Sequence, residues 1–154
     1  MIVTLVARPE LAPLVADWLW AEFWHKSGKP YAHLLAAVRQ STAAHAIPQT
    51  FVYLAAGKPV ATAGLIAHDL DDRPELTPWL AAVYVKPAAR HHGYALALIR
   101  AVEAAAIAAS IERLWLYTGT AEGLYLKAGW RTRETISVGG KPYALMLRDL
   151  RGAP

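Results

Sequence analysis

The sequence contains no cysteine among its 154 residues, so disulfide bonds and thiol nucleophiles are excluded. It also lacks any run approaching the roughly 20 apolar residues that a membrane-spanning helix needs. The amino terminus has neither the basic segment nor the long apolar core of a signal peptide. These absences predict a cytoplasmic protein without a membrane partner.

Motifs for several chemistries are missing as well. The histidines and acidic residues show no metal-binding spacing, and there is no Gly-x-Ser-x-Gly elbow or Gly-x-x-x-x-Gly-Lys-Ser/Thr loop. The lysines and arginines are scattered singly along the chain. We therefore expect no metal site and no nucleic acid partner.

What is present describes a well-packed globular chain. Hydrophobic residues make up 55% of it and charged residues 18%. Its length predicts one domain over residues 1–154, and the apolar surplus predicts a self-association face, as in a homodimer. The net charge of +4 suits an anionic ligand.

The acidic residues are unevenly distributed. Asp69, Asp71, Asp72 and Glu75 lie close together, with only Arg73 to balance them. Such a loop could receive a cationic ligand. The alternative is an ordinary solvated turn.

Hydrophobic periodicity predicts a mixed sheet with helices on both sides. Apolar residues recur at helical spacing over residues 9–25 and 31–44, and an alanine-rich helix is predicted over 93–109. A short helix should begin at a Thr120 cap, run to 126 and be ended by Gly129. Strands are predicted over residues 2–6, 50–55, 59–68, 79–85, 113–118, 131–138 and 143–148. The strand-helix-strand unit at 79–118 predicts one parallel strand pair.

The segment that joins strand 79–85 to helix 93–109 is the most informative part of the chain. It reads Arg-His-His-Gly-Tyr-Ala over residues 90–95. The start of a helix leaves backbone N–H groups unpaired and carries partial positive charge, which favours phosphate binding. The alternative is a plain connecting loop.

Two motifs together resemble the GNAT acetyltransferase superfamily. The spacing Arg90-x-x-Gly93-x-Ala95, preceded by Val-Tyr-Val-Lys-Pro, is similar to the family's acetyl-CoA-binding signature. Downstream, the strand Leu-Trp-Leu-Tyr-Thr and the stretch Ala-Glu-Gly-Leu-Tyr-Leu-Lys-Ala-Gly-Trp at 121–130 match the family's strand, tyrosine-bearing helix and Gly-aromatic pair. The resemblance implies an α/β (α+β) fold with a central, mixed, mostly antiparallel sheet of about seven strands. It also implies that the parallel pair splays apart.

The resemblance further implies acetyl-CoA as cosubstrate. The pantetheine arm should lie along the main chain of strand 79–85, and the pyrophosphate should bind the following turn. The residues assigned to the cofactor on this basis are Val83, Tyr84, Val85, Arg90, His91, His92, Gly93, Tyr94, Ala95, Thr118 and Tyr125. Histidine stands at 91, where the family often has glycine, and Tyr94 stands where an aliphatic residue is common. We interpret both as tolerated variation, because neither position should need a missing Cβ as strictly as position 93 does.

The chemistry of acetyl transfer needs a polarised thioester and a proton for the departing thiolate. A backbone N–H near Val83 could polarise the carbonyl oxygen. Tyr125 matches the family's catalytic tyrosine, and an unperturbed tyrosine pKa of about 10 leaves a proton that the thiolate can accept or share. The alternative is that Tyr125 is a packed aromatic residue.

The base is less certain from the sequence, because strand 79–85 contains no acidic residue. His68 and Asp69 are the catalytic candidates, with Glu75 a third that could act through water. We assign Trp79 and Glu75 to acceptor binding, because an aromatic face and a carboxylate both attract an ammonium group. The resemblance implies that Trp24 forms part of the opposite wall of the acceptor pocket. Core packing is the alternative for Trp79.

The resulting expectation is an N-acetyltransferase, an acyltransferase for groups other than aminoacyl groups. It would transfer acetyl to the primary amine of a small cationic metabolite or a peptide N-terminus by direct attack in a ternary complex. The alternative is a non-catalytic acyl-CoA-binding sensor or interaction module, which the missing carboxylate on strand 79–85 leaves open.

Overall fold

In a computed structural model, which describes residues 1–152, the chain forms one seven-stranded sheet in the order β1-β2-β3-β4-β5-β7-β6. The strands are β1 (Ile2–Thr4), β2 (Gln49–Ala55), β3 (Lys58–Ile66), β4 (Trp79–Val85), β5 (Arg113–Thr118), β6 (Arg131–Val138) and β7 (Lys141–Asp149). Neighbouring strands are antiparallel except β4 and β5, which are parallel. The predicted mixed, mostly antiparallel sheet is confirmed.

Within residues 1–152, four α-helices cover the sheet. They are α1 (Ala12–Leu19), α2 (Tyr31–Arg39), α3 (Tyr94–Ala108) and α4 (Glu122–Lys127). The first predicted helix is interrupted, because a 3-10 turn over Pro9–Leu11 precedes α1 and a π-helical stretch over Trp20–Trp24 follows it. Among the described residues, no helix combines the length and apolarity needed to cross a bilayer.

The largest part of the core lies between α3 and one face of the sheet. The buried stripe of α3 consists of Leu98, Ile99, Val102 and Ala106, each with 0% of its surface exposed. The stripe packs with buried residues of β3, β4 and β5, and with Tyr125 and Trp130 near α4. The helical spacing of these apolar residues therefore decides which face of α3 points inward.

The opposite face of the sheet is covered in two parts. Helices α1 and α2 pack against Val52 and Leu54 of β2. Beyond them, Trp79, Trp115 and Leu147 are covered by the loop that carries Leu70 and Leu76. This loop is the acidic segment identified in the sequence, so it forms part of the core as well as part of the surface.

Three predicted element ends are corrected. Strand β3 ends at Ile66, so His68 and Asp69 lie beyond it. Thr120 does not cap α4, which begins at Glu122. The N–H of Ala121, just before the helix, donates instead to the Thr118 hydroxyl at 3.0 Å. The last hairpin turns over Gly139 and Gly140 alone, since both have positive φ and a two-residue turn of this kind lets β7 begin at Lys141.

We expect Leu98→Ala to lower the free energy of unfolding by about 3 kcal/mol, because it leaves a cavity between α3 and the sheet. Urea denaturation followed by tryptophan fluorescence measures the loss. The matched control is Leu96→Ala on the same helix, since Leu96 is 40% exposed. Equal losses for the two variants would contradict the packing of α3 described here.

Candidate functional site

The parallel strands β4 and β5 separate soon after they begin. They pair at one position, Trp79 opposite Trp115, and the Trp115 N–H donates to the Pro78 carbonyl at 3.1 Å. Beyond this point β4 continues to pair with β3, and β5 continues to pair with β7. The β4 edge that faces β5 is therefore unpaired toward Val85. An edge of this kind can bind an extended ligand as an added strand would bind.

A β-bulge lies in the same part of β4. Thr62 of β3 is opposite Tyr84, and Gly64 is opposite Ala81. Between these pairs, two residues of β4, Ala82 and Val83, lie opposite one residue of β3. One of them, Ala82, has a φ of 56°, in the left-handed region that a residue with a Cβ rarely adopts. A bulge redirects one peptide out of the ladder. Here the redirected backbone lies at Ala82 and Val83, beside the gap.

The turn after β4 presents a series of free amides. Gly93 is the N-cap of α3, and the first N–H of the helix to find an acceptor is that of Ala97, which donates to the Gly93 carbonyl at 3.1 Å. Within the described chain, the backbone N–H groups from His91 to Leu96 have no hydrogen-bond acceptor. Together with the helix dipole, these donors form a site for an anion.

The backbone of this turn is left-handed at two positions. Gly93 has a φ of +80°, and a Cβ built on it would meet nothing within 4 Å, so the space in front of the helix is open. His91 also has a positive φ, of 67°. The conformation of residue 91 therefore also favours a residue without a Cβ, although a histidine occupies it.

Two side chains of the turn hold its shape. The Arg90 Nε donates to the Val85 carbonyl at 3.0 Å. The His92 Nδ1 lies 2.8 Å from the Arg90 carbonyl and 3.1 Å from the Ala89 carbonyl. Since carbonyl oxygens only accept, this nitrogen carries the proton. The His92 ring also stacks on Tyr94, with the ring centroids 5.6 Å apart.

Tyr125 lies on α4 and is almost wholly buried, with 6% of its surface exposed. Its ring meets the Trp130 ring edge-on at a centroid distance of 6.1 Å. Burial raises the pKa of Tyr125 to about 12. The phenol therefore keeps its proton at neutral pH. Thr118, at the end of β5, orients the approach to α4 by accepting the N–H of Ala121.

Asp69 differs from the other acids of its loop. It is half-buried, and burial together with the charge of Asp71 raises its pKa to about 7. Tyr117, at the end of β5, has its pKa raised to about 12 by burial and then by the charge of Asp69, which places the two groups near one another. A carboxyl that titrates near neutrality can gain and lose a proton under ordinary conditions.

The remaining candidates have different surroundings. His68 is exposed. Glu75 is exposed and accepts a hydrogen bond from the Arg73 Nε at 3.0 Å, which lowers the pKa of the Glu75 carboxyl. Trp79 is 0% exposed and donates its indole N–H to the Leu76 carbonyl, so it has no free surface for an acceptor. Trp24 lies in the π-helical stretch, with the Lys29 ammonium 5.6 Å from its ring centroid.

Sequence reasoning missed Tyr117, which lies near Asp69, and Tyr143, which packs against Tyr117. The Tyr117 ring packs edge-on against Trp79 at 6.1 Å and against Tyr143 at 5.5 Å. Trp79 therefore supports this part of the site from the core, through Tyr117 and through the loop that carries Leu70 and Leu76. The position of Tyr117 at the carboxyl end of a parallel strand was a usable signal, since ligands bind at such ends. An open groove of about 360 Å³ lies beside Tyr143. It is lined by Thr118, Gly119, Thr120, Glu122, Gly123, Thr135, Pro142, Tyr143 and Ala144.

Comparisons with known proteins agree with this geometry. The sequence model of the acetyltransferase (GNAT) family matches residues 13–130. The fold matches an aminoglycoside 6'-N-acetyltransferase complexed with coenzyme A, with a TM-score of 0.78 at 13% identity over 100% of this chain and 99% of that one. It also matches a GNAT-family acetyltransferase from Streptococcus pneumoniae, with a TM-score of 0.72 at 16% identity over 97% and 99%. At these identities the matches show the fold. No curated protein matches the chain.

We expect Gly93→Ala to weaken coenzyme A binding about tenfold, or about 1.4 kcal/mol, because the new methyl group enters the space in front of the free amides. Isothermal titration calorimetry measures the change. Gly28→Ala is a matched control, since Gly28 has the same φ of +80° and equally open surroundings. Both variants should lose about 1 kcal/mol of stability from the left-handed alanine. Equal coenzyme A affinity in the two variants would contradict the assignment of this turn.

Proposed function

Because the chain belongs to the GNAT acetyltransferase family, we propose that it is an N-acetyltransferase that transfers the acetyl group of acetyl-CoA to a primary amine. The acceptor is a small cationic metabolite or a peptide N-terminus, and its nitrogen attacks the thioester directly in a ternary complex. The observation that carries this proposal is the gap between β4 and β5, which opens beside the free amides of the turn at Gly93.

Acetyl-CoA would bind along this gap. The main chain on the open edge of β4, at Val83 and at the Val85 N–H, would pair with the amides of the pantetheine arm, supported by the absence of strand pairing on that side of β4. The Val85 carbonyl already accepts from the Arg90 Nε, and the backbone of Tyr84 faces β3. The pyrophosphate would accept hydrogen bonds from the turn over residues 90–95, where Arg90 and His92 hold the backbone in place. The bulge at Ala82 supports a Val83 N–H that polarises the thioester carbonyl.

Tyr125 would act on the departing sulfur. When the amine nitrogen bonds to the carbonyl carbon, the C–S bond breaks and negative charge collects on sulfur. A phenol with a pKa of about 12 is a weaker acid than a thiol of pKa roughly 8.5, so complete proton transfer from Tyr125 is unfavourable. Tyr125 would instead donate a hydrogen bond to the sulfur as its charge develops.

Asp69 would take the proton that the amine gives up. Its carboxylate has a pKa of about 7, so it is a stronger base than an ordinary aspartate. Its negative charge would also attract a cationic acceptor, as would that of Asp71 beside it. His68 is the alternative base. Glu75 is held by Arg73, which leaves it less suited to the role.

A second candidate function is acyl-CoA binding without turnover, in a sensor or interaction module. It is favoured by one observation, that β4 carries no acidic side chain beside the gap. Release of free coenzyme A in the presence of a panel of primary amines distinguishes the two functions. Binding of acetyl-CoA without release on any amine would favour the module.

We expect Tyr125→Phe to lower kcat about 100-fold while acetyl-CoA affinity stays the same, because only the charge that develops on sulfur loses its partner. Steady-state kinetics and calorimetry measure the two quantities. Tyr53→Phe removes a hydroxyl from β2 and serves as the control. An unchanged kcat in Tyr125→Phe would exclude Tyr125 from the chemistry.

We expect the rate to rise with pH through about 7, because Asp69 is protonated and inactive below its raised pKa and becomes a free carboxylate above it. In Asp69→Asn this step should disappear and the rate should fall about 100-fold. The control is Asp72→Asn, an exposed acid of the same loop. If Asp69→Asn keeps the step and His68→Gln loses it, then His68 is the base.

A further inference from the structure

Helix α3 contains a buried charge that the proposed chemistry does not use. Glu103 is 6% exposed, although it lies among the apolar residues that pack on the sheet. Its two carboxylate oxygens accept hydrogen bonds from the Arg100 Nη1 at 2.8 and 3.2 Å. A second donor, the indole Nε1 of Trp130, lies 3.2 Å from the Glu103 Oε2. A buried carboxylate is costly unless it is paired in this way.

A second charged side chain reaches the same place from β7. The Arg148 Nε lies 3.6 Å from the Glu103 Oε1, and its Nη1 donates to the Gly129 carbonyl at 2.9 Å. Gly129 has a φ of +97°, and a Cβ built on it would overlap the Arg148 guanidinium. Glu103 and Arg148 therefore hold two consecutive residues, Gly129 and Trp130, which form the corner between α4 and β6.

This corner is connected directly to Tyr125. The backbone N–H of Trp130 donates to the Tyr125 carbonyl at 3.0 Å, and the two rings are in edge contact. Within residues 1–152, no hydrogen bond is made by the Tyr125 hydroxyl itself. The direction of the hydroxyl is therefore set by how the ring packs, and a shift of Trp130 would change it.

The polar contacts of Glu103 are not needed to fill the core. A buried ion pair can often be replaced by apolar residues without loss of stability, so its presence alone does not imply a stabilising role. The Glu103–Arg148 pair is distinguished by the residues it binds. The Glu103 carboxylate binds Trp130 and the Arg148 guanidinium binds Gly129, and these two residues form the corner that adjoins Tyr125.

We infer that Glu103 and Arg148 are positioning residues for acetyl transfer, which act through the Gly129–Trp130 corner to hold the Tyr125 hydroxyl toward the departing sulfur. The inference rests on the proposed function, because it needs Tyr125 to contact the thioester. Neither charged residue is assigned contact with the substrate or the cofactor.

The test is a double-mutant cycle with Trp130→Phe and Tyr125→Phe. Trp130→Phe removes the indole N–H that Glu103 binds and keeps an aromatic ring. We expect it to lower kcat about tenfold and to leave acetyl-CoA affinity unchanged, as a small misalignment of a catalytic group does. In the Tyr125→Phe background the same substitution should have no further effect on kcat, because there is no hydroxyl left to position.

Three additional variants separate positioning from general stability. Glu103→Gln keeps an oxygen that can accept the indole N–H, so its kcat should lie closer to wild type than that of Glu103→Leu. Trp20→Phe, in the π-helical stretch, is the tryptophan control and should leave kcat unchanged. All rates are measured well below the thermal midpoint of each variant, which circular dichroism determines.

The outcomes distinguish the inference from the function on which it rests. If Tyr125→Phe lowers kcat and Trp130→Phe does not, the positioning role is wrong and the proposed function stands. If the losses in the double variant multiply, Trp130 acts independently of Tyr125 and the positioning role is also wrong. If Tyr125→Phe leaves kcat unchanged, the proposed use of Tyr125 is wrong, and the inference with it.

Discussion

The single backbone pairing between Trp79 and Trp115 joins β4 to β5, and the site depends on the two strands separating beyond it. Both tryptophans are buried, at 0% and 5% exposure, in the cluster under the acidic loop. Beyond that point β5 follows β7 and β4 follows β3, through a bulge at Ala82. Anchoring at one end and divergence at the other leave a row of unpaired backbone groups in the middle of a sheet. This is the arrangement that can bind an extended amide-containing ligand.

Burial raises the pKa of two ionisable groups, Asp69 and Tyr125, which suits them to different roles. Removal from water disfavours the charged form, so it raises the pKa of Asp69 to about 7 and that of Tyr125 to about 12. Burial therefore makes the Asp69 carboxylate a stronger base and keeps the Tyr125 phenol protonated over a wider range of pH. Acetyl transfer to an amine needs both, because the amine loses a proton while the sulfur gains negative charge. The free amides before α3 add the anion-binding end that a pyrophosphate requires.

The polar group around Glu103 extends the site into the core. It connects three elements distant in sequence, α3, β7 and the corner after α4. Gly129 is required there for two separate reasons, a positive φ and the closeness of the Arg148 side chain. A residue that looks like a simple helix terminator is therefore also part of the packing behind Tyr125.

Local patterns predicted much of this structure. The bounds of β4 and β5, the helix that follows the turn and the end of α4 at Gly129 agree with the sequence, because hydrophobic alternation, alanine content and glycine act over a few residues. The left-handed backbone of residue 91 could not be predicted from its residue type, because it depends on how the turn joins strand to helix. The pKa of Asp69, the proximity of Tyr117 and the partners of Glu103 depend on contacts between residues far apart in the chain. The sequence alone predicted most of the elements and the turn at residues 90–95. Which buried groups meet depends on the tertiary structure, because desolvation and charge pairing act through space and not along the chain.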